Sequence, residues 1–134
     1  MSRVRFHSIE AMGKCAHLEY TGPGWPGYNN EEDVQENIDR LFPRCEFDLV
    51  IAYKPLEMKS FSDIRFLKCL RYNEMYNKSI TIKEITQSKA NWVICHHYND
   101  YVEYRKIFEN FSLFPIKFIN IPHSANEIIF KDYG

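Results

Sequence analysis

Five short polar stretches carry the residue types that could do chemistry: the glycine-rich stretch 22–27 with Gly24 and Trp25, then Lys54, Asn73-Glu74, His96-His97 and His123. Glu74 could act as a base or bind a sugar hydroxyl, Lys54 could bind an anionic group, and Trp25 could stack on a sugar ring. Each also has a structural interpretation. Stretch 22–27 could be a rigid turn whose Trp covers the core edge, and Lys54 could be a solvated lysine. Asn73-Glu74 could cap the following turn, and His123 could be an exposed loop histidine.

The sequence motifs typical of metal sites, phosphate-binding loops and serine hydrolases are absent. Neighbours on a strand point to opposite faces, so His96 and His97 cannot easily share a metal ion, even with Cys95 beside them. A cap on the next helix, formed by one of them, is the better interpretation of these histidines, and a contact to the acceptor is the functional alternative. Stretch 22–27 has neither G-x-G-x-x-G nor the Walker lysine, and no G-x-S-x-G motif is present. We therefore expect no metal site and no cofactor on this chain.

Composition narrows the class further. The chain has 134 residues, a formal net charge of −1 and 45% apolar residues, which is typical of a globular domain. It has no basic field for nucleic acid, no apolar run of the roughly 20 residues that span a bilayer, and no secretory signal. The cysteines form no C-x-x-C pair, and Cys69 and Cys95 fall in apolar runs. We interpret these cysteines as buried thiols in a reducing, cytoplasmic protein.

Four apolar runs predict the strands that position these polar residues: 48–53, 66–72, 91–95 and 116–121. The first three have the unbroken apolar pattern of strands buried on both faces. A shorter strand is predicted over 16–20.

Helical patterns lie between the strands. One spans Arg3–Met12 and stops at Gly13. Another is capped by Asn29 or Asn30 and carries Val34, Ile38, Leu41 and Phe42 on one face. A capping box at Thr81–Glu84 predicts a short helix. A last helix, beginning at Asp100, has an apolar side formed by Tyr101, Tyr104, Phe108 and Phe111.

Strands that alternate with helices predict an α/β, Rossmann-like domain over residues 1–134, with an open, mainly parallel sheet and flanking helices. Ligands of such sheets bind at the carboxyl ends of the strands. The polar stretches follow the predicted strands, so we expect the site at that edge.

The motifs, read in order, resemble the amino-terminal domain of the CgeB-like glycosyltransferases, which have the GT-B fold. The resemblance covers nearly the whole chain and rests on residues 19–27, 36–41, 48–55, 71–74, 93–97 and 121–130. It implies an acceptor-binding half, with 121–134 as the crossover to a carboxyl-terminal domain that binds the nucleotide-sugar. Relatives open with a strand that is missing before Arg3, and a neighbouring chain could fill that gap.

The resemblance implies transfer of a sugar from a nucleotide-sugar to a glycan or other hydroxylated acceptor, and an isolated chain that is inactive without a donor domain or a second chain. Lys54, Asn73, Glu74 and His97 are then expected to face the cleft, and His123 to face the donor domain. The alternative is a non-catalytic α/β interaction module, since the fold alone does not decide function.

Overall fold

The computed structural model describes residues 10–110 and 115–122. The chain divides into two compact units, one of residues 1–20 and 122–134, the other of residues 21–121. In the first unit, residues 10–13 are helical and 17–20 are irregular. The strand predicted over 16–20 is wrong, because this segment joins no ladder with any described strand. The helix predicted from Arg3 begins outside the described residues.

The second unit contains the regular elements. In chain order they are α1 (Val34–Leu41), β1 (Leu49–Ala52), β2 (Leu67–Tyr72), α2 (Lys78–Gln87), β3 (Trp92–Cys95), α3 (Tyr98–Glu109) and β4 (Lys117–Asn120). Two short 3-10 turns, Pro55–Glu57 and Phe61–Asp63, connect β1 to β2. The four predicted strands are confirmed, each shorter than its apolar run by one or two residues.

The strands form one parallel sheet in the order β1-β2-β3-β4. The register pairs Leu49 with Leu67, Cys69 with Trp92, and Trp92 with Lys117. The prediction of an α/β, Rossmann-like domain with a parallel sheet and flanking helices is confirmed. Because all four strands run the same way, their carboxyl ends meet at one edge of the sheet.

Burial differs between the strands. Residues 68–72 of β2 are all buried, and Leu70, like Val93 of β3, is fully enclosed in the core. The prediction that β1 is buried on both faces is wrong: Leu49 is 41% exposed, and only Ala52 is buried. The physical reason is position, since β1 lies at the edge of the sheet. β3 is intermediate, with Val93 and Cys95 buried and Trp92 and Ile94 half-buried.

Two helices begin away from their predicted caps. The N-cap of α1 is Asp33, whose backbone N–H donates to the Glu36 carboxylate at 2.9 Å, so the predicted caps Asn29 and Asn30 lie outside the helix. The N-cap of α2 is Asn77, whose side-chain oxygen accepts from the Ile80 N–H at 3.1 Å. Thr81, predicted as a cap, is buried within α2.

The third helix, α3, begins at Tyr98, two residues before the predicted start at Asp100. Tyr104 and Phe108 are buried on its inner side, as predicted, and Phe111 lies outside the described residues. No helix in the described part of the chain is long and apolar enough to cross a bilayer.

Candidate site at the carboxyl ends of the strands

Glu74 and His97 come together at the carboxyl edge of the sheet. Glu74 follows β2, His97 follows β3, and Glu74 Oε1 lies 4.0 Å from His97 Nε2. Their side chains are 45% and 50% exposed. The separation is longer than a hydrogen bond, so a ligand hydroxyl or a water molecule could bridge the two groups. The sequence predicted both residues at this edge.

The packing of the next residue holds Glu74 in place. Met75 is buried, and its sulfur lies 3.8 Å from the Cys95 sulfur on β3. The Tyr104 hydroxyl of α3 donates to the Met75 carbonyl at 3.4 Å. Glu74 therefore projects from a segment that contacts with β3 and α3 hold at Met75. Asn73, on the other side of Glu74, is half-buried.

A second pair, Arg71 and His96, lies deeper at the same edge. Both side chains are buried, with Arg71 5% and His96 7% exposed. Arg71 Nε donates to His96 Nε2 at 2.8 Å, and the guanidinium lies over the Tyr53 ring, 5.6 Å from its centroid. Guanidinium nitrogens only donate, so His96 Nε2 must be the acceptor. The proton of this neutral ring then lies on Nδ1, which donates to the Ile121 carbonyl at 2.5 Å.

Asn120 completes this edge. Its side-chain amide donates to the Cys95 carbonyl at 3.0 Å, and the Ile121 N–H donates to the same carbonyl at 3.1 Å. The ends of β3 and β4 are thereby tied together behind His96. Neither Arg71 nor Asn120 was predicted from the sequence. A usable signal was present, since Arg71 is one of two charged residues in β2 and lies near its carboxyl end.

Lys54 follows β1, as predicted, but its ammonium is engaged elsewhere. Nζ donates to Glu57 Oε1 at 3.0 Å, and the Lys54 side chain is 70% exposed. In this arrangement Lys54 is a solvated lysine in an exposed ion pair.

The glycine-rich loop is anchored on α1. The fully buried Asn37 accepts from the Asn29 N–H at 2.8 Å and donates to the Asn29 carbonyl at 2.9 Å. Arg40 Nη2 donates to the Gly27 carbonyl at 3.0 Å. A methyl group at Gly27 would come within 2.8 Å of Leu41 Cδ2. Gly27 therefore packs at the carboxyl end of α1, from which the chain enters the amino end of β1.

Gly24 and Trp25 occupy the tip of the same loop. Gly24 has φ +87°, with open space beside its Cα, and Trp25 is 44% exposed. Both are accessible to a ligand. The hydrogen bonds of Asn37 and Arg40 tie this loop to α1. His123 lies outside the described residues.

An open groove of about 500 Å³ has Tyr98, the residue that follows His97 in the chain, in its lining. It runs along α3 and is lined by Lys78, Tyr98, Asn99, Val102, Glu103, Lys106 and Ile107. Tyr98 is 65% exposed, and nearby Tyr76, which lies between Glu74 and the start of α2, is 86% exposed. Exposed tyrosines present flat surfaces that suit sugar rings. The sequence analysis did not single out these residues.

The cysteines of the sheet are not nucleophiles. Burial raises the pKa of the Cys69 thiol to about 11 and that of Cys95 to about 12, so both are protonated at neutral pH. Over residues 10–110 and 115–122, no three His, Cys, Asp or Glu side chains are grouped so as to hold a metal ion.

Comparison with protein-family models, with curated proteins and with solved structures gives no match.

Proposed function

We propose that this chain is the acceptor-binding half of a GT-B-type glycosyltransferase, which transfers a sugar from a nucleotide-sugar to a hydroxylated acceptor. The observation that carries the proposal is the approach of Glu74 and His97 to 4.0 Å at the carboxyl ends of neighbouring parallel strands. This is the edge at which open α/β sheets bind ligands. The resemblance of the ordered sequence motifs to the CgeB-like enzymes supports the same function.

The chemistry assigned to this chain is limited to the acceptor. An acceptor hydroxyl attacks the anomeric carbon, the bond from that carbon to the leaving diphosphate breaks, and the hydroxyl proton must pass to a base. Glu74 is a half-exposed carboxylate that can accept this proton, and His97 can orient the same hydroxyl by a hydrogen bond. The donor and the groups that stabilise its diphosphate belong to another domain or a second chain in this proposal.

The groove along α3 gives the proposal a place for the rest of an acceptor. It starts at Tyr98, next to His97, so a glycan whose reactive hydroxyl lay between Glu74 and His97 could continue across it. Its lining mixes an exposed aromatic ring with polar side chains, as carbohydrate sites require.

Isothermal titration of the chain with a panel of neutral oligosaccharides and nucleotide-sugars tests this proposal. We expect an oligosaccharide to bind, and we expect Glu74→Gln and His97→Asn to weaken it by roughly tenfold. Glu109→Gln is the matched control, because it makes the same charge change at the far end of α3, where Glu109 pairs with Arg105.

Two results would overturn the assignment. Tight binding of a nucleotide-sugar at Glu74 and His97, without an acceptor, would make this edge a donor site. Failure of every carbohydrate to bind would favour a non-catalytic α/β interaction module.

A further inference from the structure

The Arg71 guanidinium is a buried cation without a carboxylate partner. Its side chain is 5% exposed, and no Asp or Glu oxygen of the described residues lies within the 4.0 Å of an ion pair. Arginine does not lose its proton in proteins, so the positive charge remains. Burial of an unpaired charge costs folding free energy, so the burial of Arg71 needs an explanation.

The contacts of Arg71 leave most of its donors unused. Nε donates to His96, and the flat face lies over Tyr53, but no hydrogen bond within residues 10–110 and 115–122 holds the two terminal nitrogens. Thr21 Oγ1 is the only fully enclosed side-chain polar atom without a partner in the described part of the chain. Neither Arg71 Nη atom belongs to this class in the described part of the chain, so a ligand group could reach both of them.

The position and geometry of the guanidinium are fixed in advance. His96 is itself held by the Ile121 carbonyl, so the Nε bond locks the plane of the guanidinium. The two outward nitrogens then form a fork that matches two oxygens of a phosphate or carboxylate group. A site that is rigid before binding loses little entropy when the ligand arrives.

The start of α3 adds positive potential at the same place. His96 lies two residues before Tyr98, the first residue of this 12-residue helix, and α3 has no side-chain cap. The amino end of a helix attracts anions. Asp100 in the first turn opposes this effect, so Arg71 has to supply the main attraction.

We propose that Arg71, oriented by His96, binds an oxyanion group of the ligand at the carboxyl edge of β2 and β3. The ligand class is a small molecule or glycan that carries a phosphate or a carboxylate. The proposal depends on the burial, the charge and the hydrogen bonds of Arg71. It does not require that the chain takes part in glycosyl transfer.

Titration followed by NMR tests the proposal, with the Nε–H resonance of Arg71 as the reporter. The probes are inorganic phosphate, glucose 1-phosphate, glucuronate and neutral methyl glucoside. We expect saturable shifts with at least one of the three oxyanions and none at Arg71 with methyl glucoside. Tighter binding of glucose 1-phosphate than of phosphate would assign a phosphorylated sugar, and preference for glucuronate would assign a carboxylate.

The variants Arg71→Met and Arg71→Lys should weaken oxyanion binding by at least about tenfold, the second because lysine lacks the two-donor fork. Lys68→Met is the matched control: it removes a buried cation from the same strand at the opposite end, and we expect oxyanion binding to be unchanged. Equal binding by wild type and Arg71→Met, or no oxyanion effect on the Arg71 resonance of the wild type, would overturn the proposal.

The test separates this proposal from the proposed function. Binding of methyl glucoside or a neutral oligosaccharide at Glu74 and His97, without any oxyanion effect on Arg71, would remove the oxyanion site and leave the acceptor site standing. Oxyanion binding without any affinity for neutral carbohydrate would remove the acceptor site and leave the oxyanion site standing.

Discussion

The two ends of β2 each bury a cation, but they treat it differently. Lys68 at the amino end is 8% exposed, and its ammonium donates to the Ile64 carbonyl at 3.3 Å. Arg71 at the carboxyl end is as deeply buried, yet its terminal nitrogens have no hydrogen-bond partner among the residues that the structure describes. Burial, together with the charge of Lys89, lowers the pKa of Lys68, and lysine can shed its charge, whereas arginine cannot.

The residues around Lys68 and those around Arg71 also differ. At the amino end the Phe47 ring packs edge-on against Phe42 and Phe66, and the Asn91 side chain accepts from the Lys68 N–H at 2.9 Å. At the carboxyl end Glu74 and His97 are half exposed and 4.0 Å apart. One end is closed by its own contacts, and the other holds polar groups ready for a ligand. A buried polar group whose hydrogen bonds are incomplete needs an explanation, and a ligand is one.

The largest effect on stability is expected at the closed end. Asn91→Ala removes the acceptor of the Lys68 N–H and leaves that half-buried donor without a partner. The free energy of unfolding should fall by about 2 kcal/mol, measured by urea denaturation. Asn99→Ala makes the same change at an exposed position on α3 and should alter it by less than about 0.5 kcal/mol. Equal effects of the two variants would contradict a closed amino end.

Alkaline pH probes the apolar body of the sheet between the two ends. The folded-state pKa values of Cys69 and Cys95 are raised by burial to about 11 and about 12, above the unfolded value of about 8.5. Their stabilising contribution is complete below that unfolded value and is lost as pH rises towards the folded values.

Between pH 7 and pH 9.5 each thiol should therefore cost about 1 kcal/mol of stability. Lys68 acts in the opposite sense, because its pKa is lowered in the fold. The thiol effect is isolated by comparing the wild type with the Cys69→Ala and Cys95→Ala variants in urea denaturation at several pH values. An unchanged pH dependence in both variants would show that water reaches these thiols.

The smallest effect on stability is expected at Arg71, the residue of the proposed oxyanion contact. Arg71→Met removes a desolvated charge that pairs with no carboxylate of the described residues, and this gain offsets the loss of the hydrogen bond to His96. The free energy of unfolding should therefore change by less than about 1 kcal/mol in buffer without oxyanions. Thermal denaturation of the Arg71→Met variant, with the Lys68→Met variant measured in parallel, checks this change. A loss above about 3 kcal/mol would mark Arg71 as a structural residue and remove the contrast between the ends.

The sequence predicted the sheet well because apolar runs of five to seven residues, separated by capped helices, have few other solutions. Strands β1 to β4 and the buried thiols Cys69 and Cys95 follow from that pattern. The exposure of Leu49 could not be predicted, because an edge strand and a central strand can share the same apolar composition. The helix starts were missed where two capping residues lay close together, as Asn77 and Thr81 do.

The candidate site was predicted in part. Glu74 and His97 were found because they follow neighbouring strands, and the parallel sheet brings such residues together. Arg71 was missed because a strand-end arginine is informative only once its partners are known. That its Nε donates to His96 and that no carboxylate pairs with it are facts of packing between distant residues.

The most direct test of the account is a map of the backbone amide resonances of the wild-type chain during titration with glucose 1-phosphate. We predict that the shifted amides cluster at residues 71–74 and 96–98, at the open end of β2 and β3. Shifts confined to the loop 22–30 or to the amino end around Lys68 and Asn91, or the absence of saturable shifts, would contradict it.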